Sequence, residues 1–208
     1  MLIRGLRAKQ EDKGLLERFF PNEWAGSVEN ILPARESAFC KRWSFRRRNE
    51  MKLECPVAFT LRNAEPADLQ ALWLIDQKCF SGGIAYSQAE LKFFMRRRGS
   101  FTLVAVEDEN LKIGGFIIAQ AGVAGHIITI DVIAAARRSG LGSQLLRAAE
   151  DRLRRAGSST VNLETAVDNR GALFFYKRHG YEIIESIPGY YSNGVDALLL
   201  SKSLPAAS

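Results

Sequence analysis

Histidine and cysteine are scarce in this chain of 208 residues, and their scarcity closes off most metal chemistry at once. Two histidines, His126 and His179, and three cysteines, Cys40, Cys55 and Cys79, are scattered without ligand spacing. They supply neither a zinc site nor a disulfide framework, so the expectation is no metal and a reduced, cytoplasmic setting. No apolar run approaches the ~20 residues of a membrane-spanning helix, and no membrane partner is expected. The first fifty residues lack the apolar core of a signal peptide, and their acids argue against an organelle transit peptide. There is no Walker loop, which needs Gly, four residues, then Gly-Lys and Ser or Thr. A Rossmann fingerprint fails too, because Leu145 stands where the third glycine belongs.

What is present is an ordinary globular composition, 47% apolar and 25% charged, enough for one domain with an appendage. The net charge of +6 is uneven: residues 1–50 hold 11 Lys+Arg against 7 Asp+Glu, and the remainder 18 against 16. A nearly neutral folded part argues against a nucleic-acid partner, and Arg46-Arg47-Arg48 and Arg96-Arg97-Arg98 read as solvated surface. Residues 1–56 are expected to be a poorly ordered extension, with Leu15, Leu16, Phe19 and Phe20 lining one short amphipathic helix. The domain is expected over 57–204, followed by a short tail at 205–208.

Within the domain the pattern alternates between strand and helix signals. Phe59-Thr60-Leu61-Arg62 reads as a strand, and Leu69, Leu72 and Ile75 as one helix face running toward Phe80. Ser81-Gly82-Gly83 breaks it. Ser87 and Glu90 form a capping box for a second helix with Leu91, Phe94 and Met95 inward. Strands follow at 101–106, 113–121 and 127–133, then a helix carrying Leu141, Leu145, Ala149 and Leu153 and stopping at Gly157. A fifth strand at 160–165 pairs parallel with the fourth, because a helix separates them. Asp168-Asn169 caps a last helix with Leu173, Phe174 and Tyr176 and ends at His179-Gly180, with His179 a partner for the helix dipole. Strands at 181–184 and 197–200 close an antiparallel pair. The fold class is therefore α/β, a mixed sheet with helices on both faces.

Between the fourth strand and its helix stands Arg137-Arg138-Ser139-Gly140-Leu141-Gly142-Ser143. A glycine-rich turn opening a helix aims unpaired N–H groups and the positive helix end at one point, the usual seat of a phosphate. Arg137-x-x-Gly140-x-Gly142, in this element order, resembles the acyl-CoA pyrophosphate loop of the GNAT N-acetyltransferase superfamily. Leu163-Glu164 through Asn169, Ala172, Tyr176, Gly180 and Tyr181 is similar to the RimI type, the ribosomal-protein alanine N-acetyltransferases. The resemblance implies acetyl-CoA as co-substrate, its pantetheine arm lying between splayed fourth and fifth strands against the backbone of Ile130, Asp131 and Val132. It implies Glu164 as general base, Tyr176 as general acid and Asn169 as a cofactor contact. It places Tyr190-Tyr191 at a paired aromatic of the substrate site, with Phe80 and Tyr86 in the substrate loop.

The chemistry suits these residue types. A primary amine arrives protonated, so a carboxylate must help remove a proton before attack, and a tyrosine hydroxyl can protonate the departing sulfur. Strand alternation puts Glu164 opposite Leu163 and Thr165, away from the apolar side. Each residue also has a plainer reading: Glu164 an exposed strand-end acid, Tyr176 a core aromatic, Asn169 a helix cap, Tyr190-Tyr191 hairpin packing, and Cys79 a buried thiol with no role. Where the family often has Pro and an aromatic before the loop, this chain has Ala134-Ala135-Ala136, and Tyr86 replaces a Trp. The expected acceptor is a protein or peptide N-terminus, with a small amine such as a polyamine or aminoglycoside, or a catalytically silent CoA-binding module, as alternatives.

Overall fold

The computed structural model describes Ile3–Arg4 and residues 57–80 and 84–205. The expected helix around Leu15 to Phe20, the Ser81-Gly82-Gly83 break and most of the extension lie outside the described residues. Strands β1 (Ile3–Arg4), β2 (Phe59–Asn63), β3 (Ser100–Glu107), β4 (Ile113–Gln120), β5 (Ala124–Val132), β6 (Thr160–Ala166), β7 (Glu182–Ile187) and β8 (Ala197–Ser203) form one sheet. Its order is β2-β3-β4-β5-β6-β8-β7, with β1 set against β5 off that path. Helices α1 (Leu69–Cys79) and α2 (Gln88–Arg96) cover one face, α3 (Leu141–Arg155) and α4 (Arg170–Arg178) the other. The expected mixed sheet with helices on both faces is what the chain forms.

Local chemistry explains where the helices begin and end. The capping box of α2 forms as read: Ser87 Oγ accepts the Glu90 N–H and Glu90 Oε2 accepts the Ser87 N–H at 2.8 Å. Asn169 Oδ1 caps α4 by accepting the Ala172 N–H at 3.1 Å. At the other end of α4, the His179 ring meets the Phe175 carbonyl at 2.8 Å. Gly157 stops α3 with a left-handed φ of 91°. A short 3-10 turn at Pro66–Asp68 leads into α1, and Arg62 grips the Asp68 carboxylate there with two bonds of 2.6 and 2.9 Å.

Two apolar layers sandwich the sheet. Ile127, Ile130 and Leu163 meet Leu145, Leu153 and Tyr176 beneath α3 and α4. Phe116, Ile118 and Ile128 meet Leu72, Leu91 and Tyr86 on the other side. A buried polar link adds to this: Tyr181 Oη and Lys202 Nζ both donate to Glu150, at 2.9 and 2.7 Å, tying α3 to β8. Tyr181 of the sequence motif is thus a clamp onto α3.

The Arg62 hydrogen bonds, aided by the Glu65 N–H, hold the Asp68 carboxyl below its ordinary value of 3.8. The contribution is therefore present above that value and lost as pH falls beneath it. Asp68→Asn is expected to lower stability by about 0.5–1 kcal/mol near pH 7. Urea melts should show the gap from the parent chain closing below about pH 3; a gap independent of pH would remove the pair from the account.

Candidate active site

The site begins where a ladder stops. β5 and β6 pair in parallel only at Ala124↔Thr160, Gly125↔Val161 and His126↔Asn162. Beyond that rung β5 stays with β4 as far as Gly115↔Val132, while β6 stays with β8 over its whole length. Each strand keeps its outer neighbour, so the two diverge as a fork, and their facing backbone groups need other partners. An extra residue in β5, Ile128, makes a bulge opposite Ile118 and Ala119 and sharpens the divergence.

Part of the fork's inner edge is engaged by the chain itself. β1 pairs antiparallel with β5 at Ile3↔Ile130 and Arg4↔Thr129, and lies against β6 as well. The Val132 carbonyl accepts Arg137 Nε–H at 3.0 Å and the Cys79 thiol at 3.5 Å. Arg137, expected to face the phosphate turn, therefore reaches back and satisfies the end of its own strand. Its Nη2 also lies 3.8 Å from Cys79 Sγ.

At the mouth of the fork the turn has the conformation its glycines allow. Arg138 and Gly140 are left-handed, with φ of 65° and 93°, which orients successive N–H groups toward one side. Ser139 Oγ donates to the Ala136 carbonyl at 2.8 Å and fixes the turn. The Gln144 N–H is bonded to the Gly140 carbonyl and the Leu141 N–H donates to Ser139 Oγ at 3.4 Å, so the amides of Gly142 and Ser143 precede the helical ladder. A side chain at Gly140 would meet none of the described residues within 4 Å. That open cradle fits a phosphate.

Deeper in, polar groups converge. Glu164 is 3% exposed, on the sheet face away from the Leu163 core, so the alternation held and the exposed strand-end reading did not. Its Oε2 lies 3.1 Å from His126 Nε2 across the apex, an oblique approach between two buried groups. Tyr176 is wholly buried and its Oη meets no partner among the described residues. Burial first, then Tyr191, Asp131 and Glu164 nearby, pushes the Tyr176 hydroxyl well above its usual range, so it stays a proton donor. Asp131 is buried and accepts the Thr129 hydroxyl at 3.2 Å.

The substrate-loop residues are placed differently from the reading. Tyr86 is wholly buried, edge-on to Phe94 at 5.2 Å, and its N–H donates to Asp76 Oδ2 at 2.7 Å. Phe80 joins the same core. Both are packing residues here, and the Tyr86 backbone is drawn inward onto Asp76. Tyr190 and Tyr191 stack edge-to-face at 5.1 Å in a small cluster with Ala197, against which Ile84 packs. Asn169 serves as the α4 cap described above. The sequence reading missed His126, Asp76 and Arg137's backward reach. Only the chain's shortage of histidine could have drawn attention to the first.

Comparison with known proteins places these features in a family. Residues 69–181 match the model of the acetyltransferase (GNAT) family. The chain is 30% identical over 117 residues to N-alpha-acetyltransferase 30 of Schizosaccharomyces pombe, covering 54% of this chain and 77% of that one. Among solved structures, Ard1 from Thermoplasma volcanium superposes with a TM-score of 0.66 at 27% identity, covering 72% of this chain and 99% of that one. The ribosomal-protein-S18-alanine N-acetyltransferase from Escherichia coli gives 0.64 at 23% identity, covering 72% and 96%.

Cys79 tests the electrostatics of this region. Burial, then the charge of Asp131, pushes its thiol up to about 11 from 9.0, leaving roughly a hundredfold less thiolate at pH 8 than an ordinary cysteine has. Alkylation of the Cys79 peptide, followed by mass spectrometry, is expected to be far slower in the folded chain than in urea. Equal rates would show an open, ionised thiol.

Proposed function

The chain belongs to the acetyltransferase (GNAT) family, and on that premise we propose that it moves an acetyl group from acetyl-CoA to the α-amine of a protein or peptide N-terminus. The observation carrying this is the fork: a parallel pair cut off after three rungs, with a phosphate-shaped turn at its mouth and an orphaned tyrosine hydroxyl inside it. An arm bearing amides satisfies the inner edge of such a fork as an added strand would, as β1 does at Thr129 and Ile130. The kinship to an N-alpha-acetyltransferase of fission yeast supports the choice of acceptor. A buried, free Cys79 is compatible with a cytoplasmic setting.

In this reading acetyl-CoA supplies an activated thioester, and the protein supplies position and protons. The amides of Gly142 and Ser143 hold the diphosphate, with the positive end of α3 behind them. Glu164, directly or through one water, takes a proton from the ammonium so that the amine can attack the carbonyl carbon. Backbone N–H of the bulged β5 stabilises the oxygen on which charge develops. Tyr176 then gives its proton to the leaving sulfur. Bond making and breaking occur with both substrates bound, and no enzyme nucleophile enters. Arg137, Arg138 and Ser139 shape the turn, and Asn169 fixes the helix that carries Tyr176.

One observation favours the small-amine alternative. Tyr86, Tyr190 and Tyr191 are all buried and Ile84 packs on the hairpin, which leaves these tyrosines no exposed face toward a peptide groove. Acceptor profiling separates the two: turnover of free-N-terminus peptides supports the proposal, and turnover confined to polyamines or aminoglycosides replaces it.

Glu164→Gln is expected to lower kcat about 10²-fold or more near neutral pH, with the loss shrinking as pH rises and the amine deprotonates. Tyr176→Phe should slow turnover by a similar order while acetyl-CoA affinity stays within about twofold. A full-rate Glu164→Gln enzyme would end the base assignment. Calorimetry with acetyl-CoA tests the seat. Gly140→Val is expected to weaken binding about tenfold or more, since it crowds the cradle and strains a left-handed residue. Removing residues 1–50 should tighten binding or leave it unchanged, because the arm displaces β1; weaker binding would make β1 part of the seat.

A further inference from the structure

We propose that the Thr165 hydroxyl binds the acetyl-CoA arm from the β6 prong, an inference that rests on the fork being the seat of that arm. Thr165 stands three residues beyond Asn162, the last residue of β6 to share a rung with β5. On β5 the bulge at Ile128 takes up one residue of the same rise, so Thr165 comes level with Ile130. At Ile130 the β5 backbone takes β1 as an added strand. At that level one prong therefore offers backbone groups. The other offers a hydroxyl on the α3–α4 side of the sheet.

Thr165 is wholly buried, and its Oγ1 meets no partner among the described residues. Alternation along β6 puts it on the face of Val161 and Leu163, whose apolar layer also holds Tyr176. A hydroxyl left unbonded in such a layer costs free energy that valine, of nearly the same shape, would not. Thr129, on the β5 prong, shows the ordinary remedy: its hydroxyl donates to Asp131 at 3.2 Å. Two orphaned hydroxyls, those of Thr165 and Tyr176, thus lie on one face of the sheet beside one opening. Tyr176 finds its partner in the leaving sulfur. An amide of the arm, with its carbonyl and its N–H, supplies what Thr165 lacks.

Calorimetry on the full chain tests this with three probes: acetyl-CoA, CoA, and 3′-phospho-ADP, which is the cofactor without its arm. Thr165→Val should weaken acetyl-CoA and CoA about three- to tenfold and leave 3′-phospho-ADP within about twofold. Thr165→Ser, which keeps a hydroxyl, should retain most of the affinity. In kinetics, KM for acetyl-CoA should rise in Thr165→Val by a similar factor, with kcat within about twofold. The ligand-free Thr165→Val chain should melt at the parent temperature or above it, because the orphaned group is gone. A threonine that only packs would give the same melt with unchanged acetyl-CoA affinity, and that result overturns the inference. Equal weakening of 3′-phospho-ADP, or a Thr165→Ser chain as weak as Thr165→Val, overturns it too. Should Thr165→Val fold poorly, Thr165→Ala takes its place against Thr165→Ser. If the parent chain binds acetyl-CoA and Thr165→Val binds it equally well, only the inference falls. If the parent chain binds none of the three probes, the seat itself fails and takes the inference with it.

Discussion

Two neighbouring parallel strands that stop sharing hydrogen bonds after His126 and Asn162 determine nearly everything else in this molecule. Strand backbone is a row of donors and acceptors, and each buried group left without a partner costs free energy comparable to a lost hydrogen bond. The fork survives because each strand is held on its far side, β5 by β4 and β6 by β8. The chain then finds partners for the inner edge: β1 at Thr129 and Ile130, Arg137 and Cys79 at the Val132 carbonyl. An edge so ready to accept a strand from its own chain is suited to an extended, amide-bearing substrate arm.

The same fork sets the electrostatics. By opening between two apolar layers it carries Glu164, His126, Asp131 and Tyr176 into the interior rather than onto the surface. There the protein must choose protonation states, since water is not at hand to screen them. The tyrosine hydroxyl and the Cys79 thiol are both driven upward and stay protonated. Glu164 stands next to an imidazole instead. Burial thus keeps the tyrosine in the form that can donate a proton and the thiol in its neutral form.

Much of this architecture was legible because it is written in local chemistry. Capping residues at Ser87 and Asn169, the stop at Gly157 and the periodicity of α3 act over a few residues, so their spacing identifies them. Glu164 and Tyr176 were found through a motif whose spacing reflects one strand, one turn and one helix. What escaped depends on register between distant segments. His126 meets Glu164 only because β5 and β6 align the two diagonally, and the 37 residues of chain between them hide that. The bulge at Ile128 shifts the alternation of β5, so Ile127 and Ile130 face the same core; strict alternation puts them on opposite faces. Tyr86 read as a groove residue because nothing nearby reveals that Asp76 draws its backbone inward.

That inward pull bears on acceptor choice. In α1, Asp76 is wholly buried yet accepts bonds from the Tyr86 N–H and, at 3.3 Å, the Gln77 amide, while Gln77 also donates to the Tyr86 carbonyl at 2.8 Å. Both backbone groups of Tyr86 are thus tied to one helix, which fixes the strand-like entry into α2 and brings Ile84 onto the tyrosine hairpin. In the proposed reading, the packing of Ile84 against Tyr190-Tyr191 is what bears on the size of the acceptor amine.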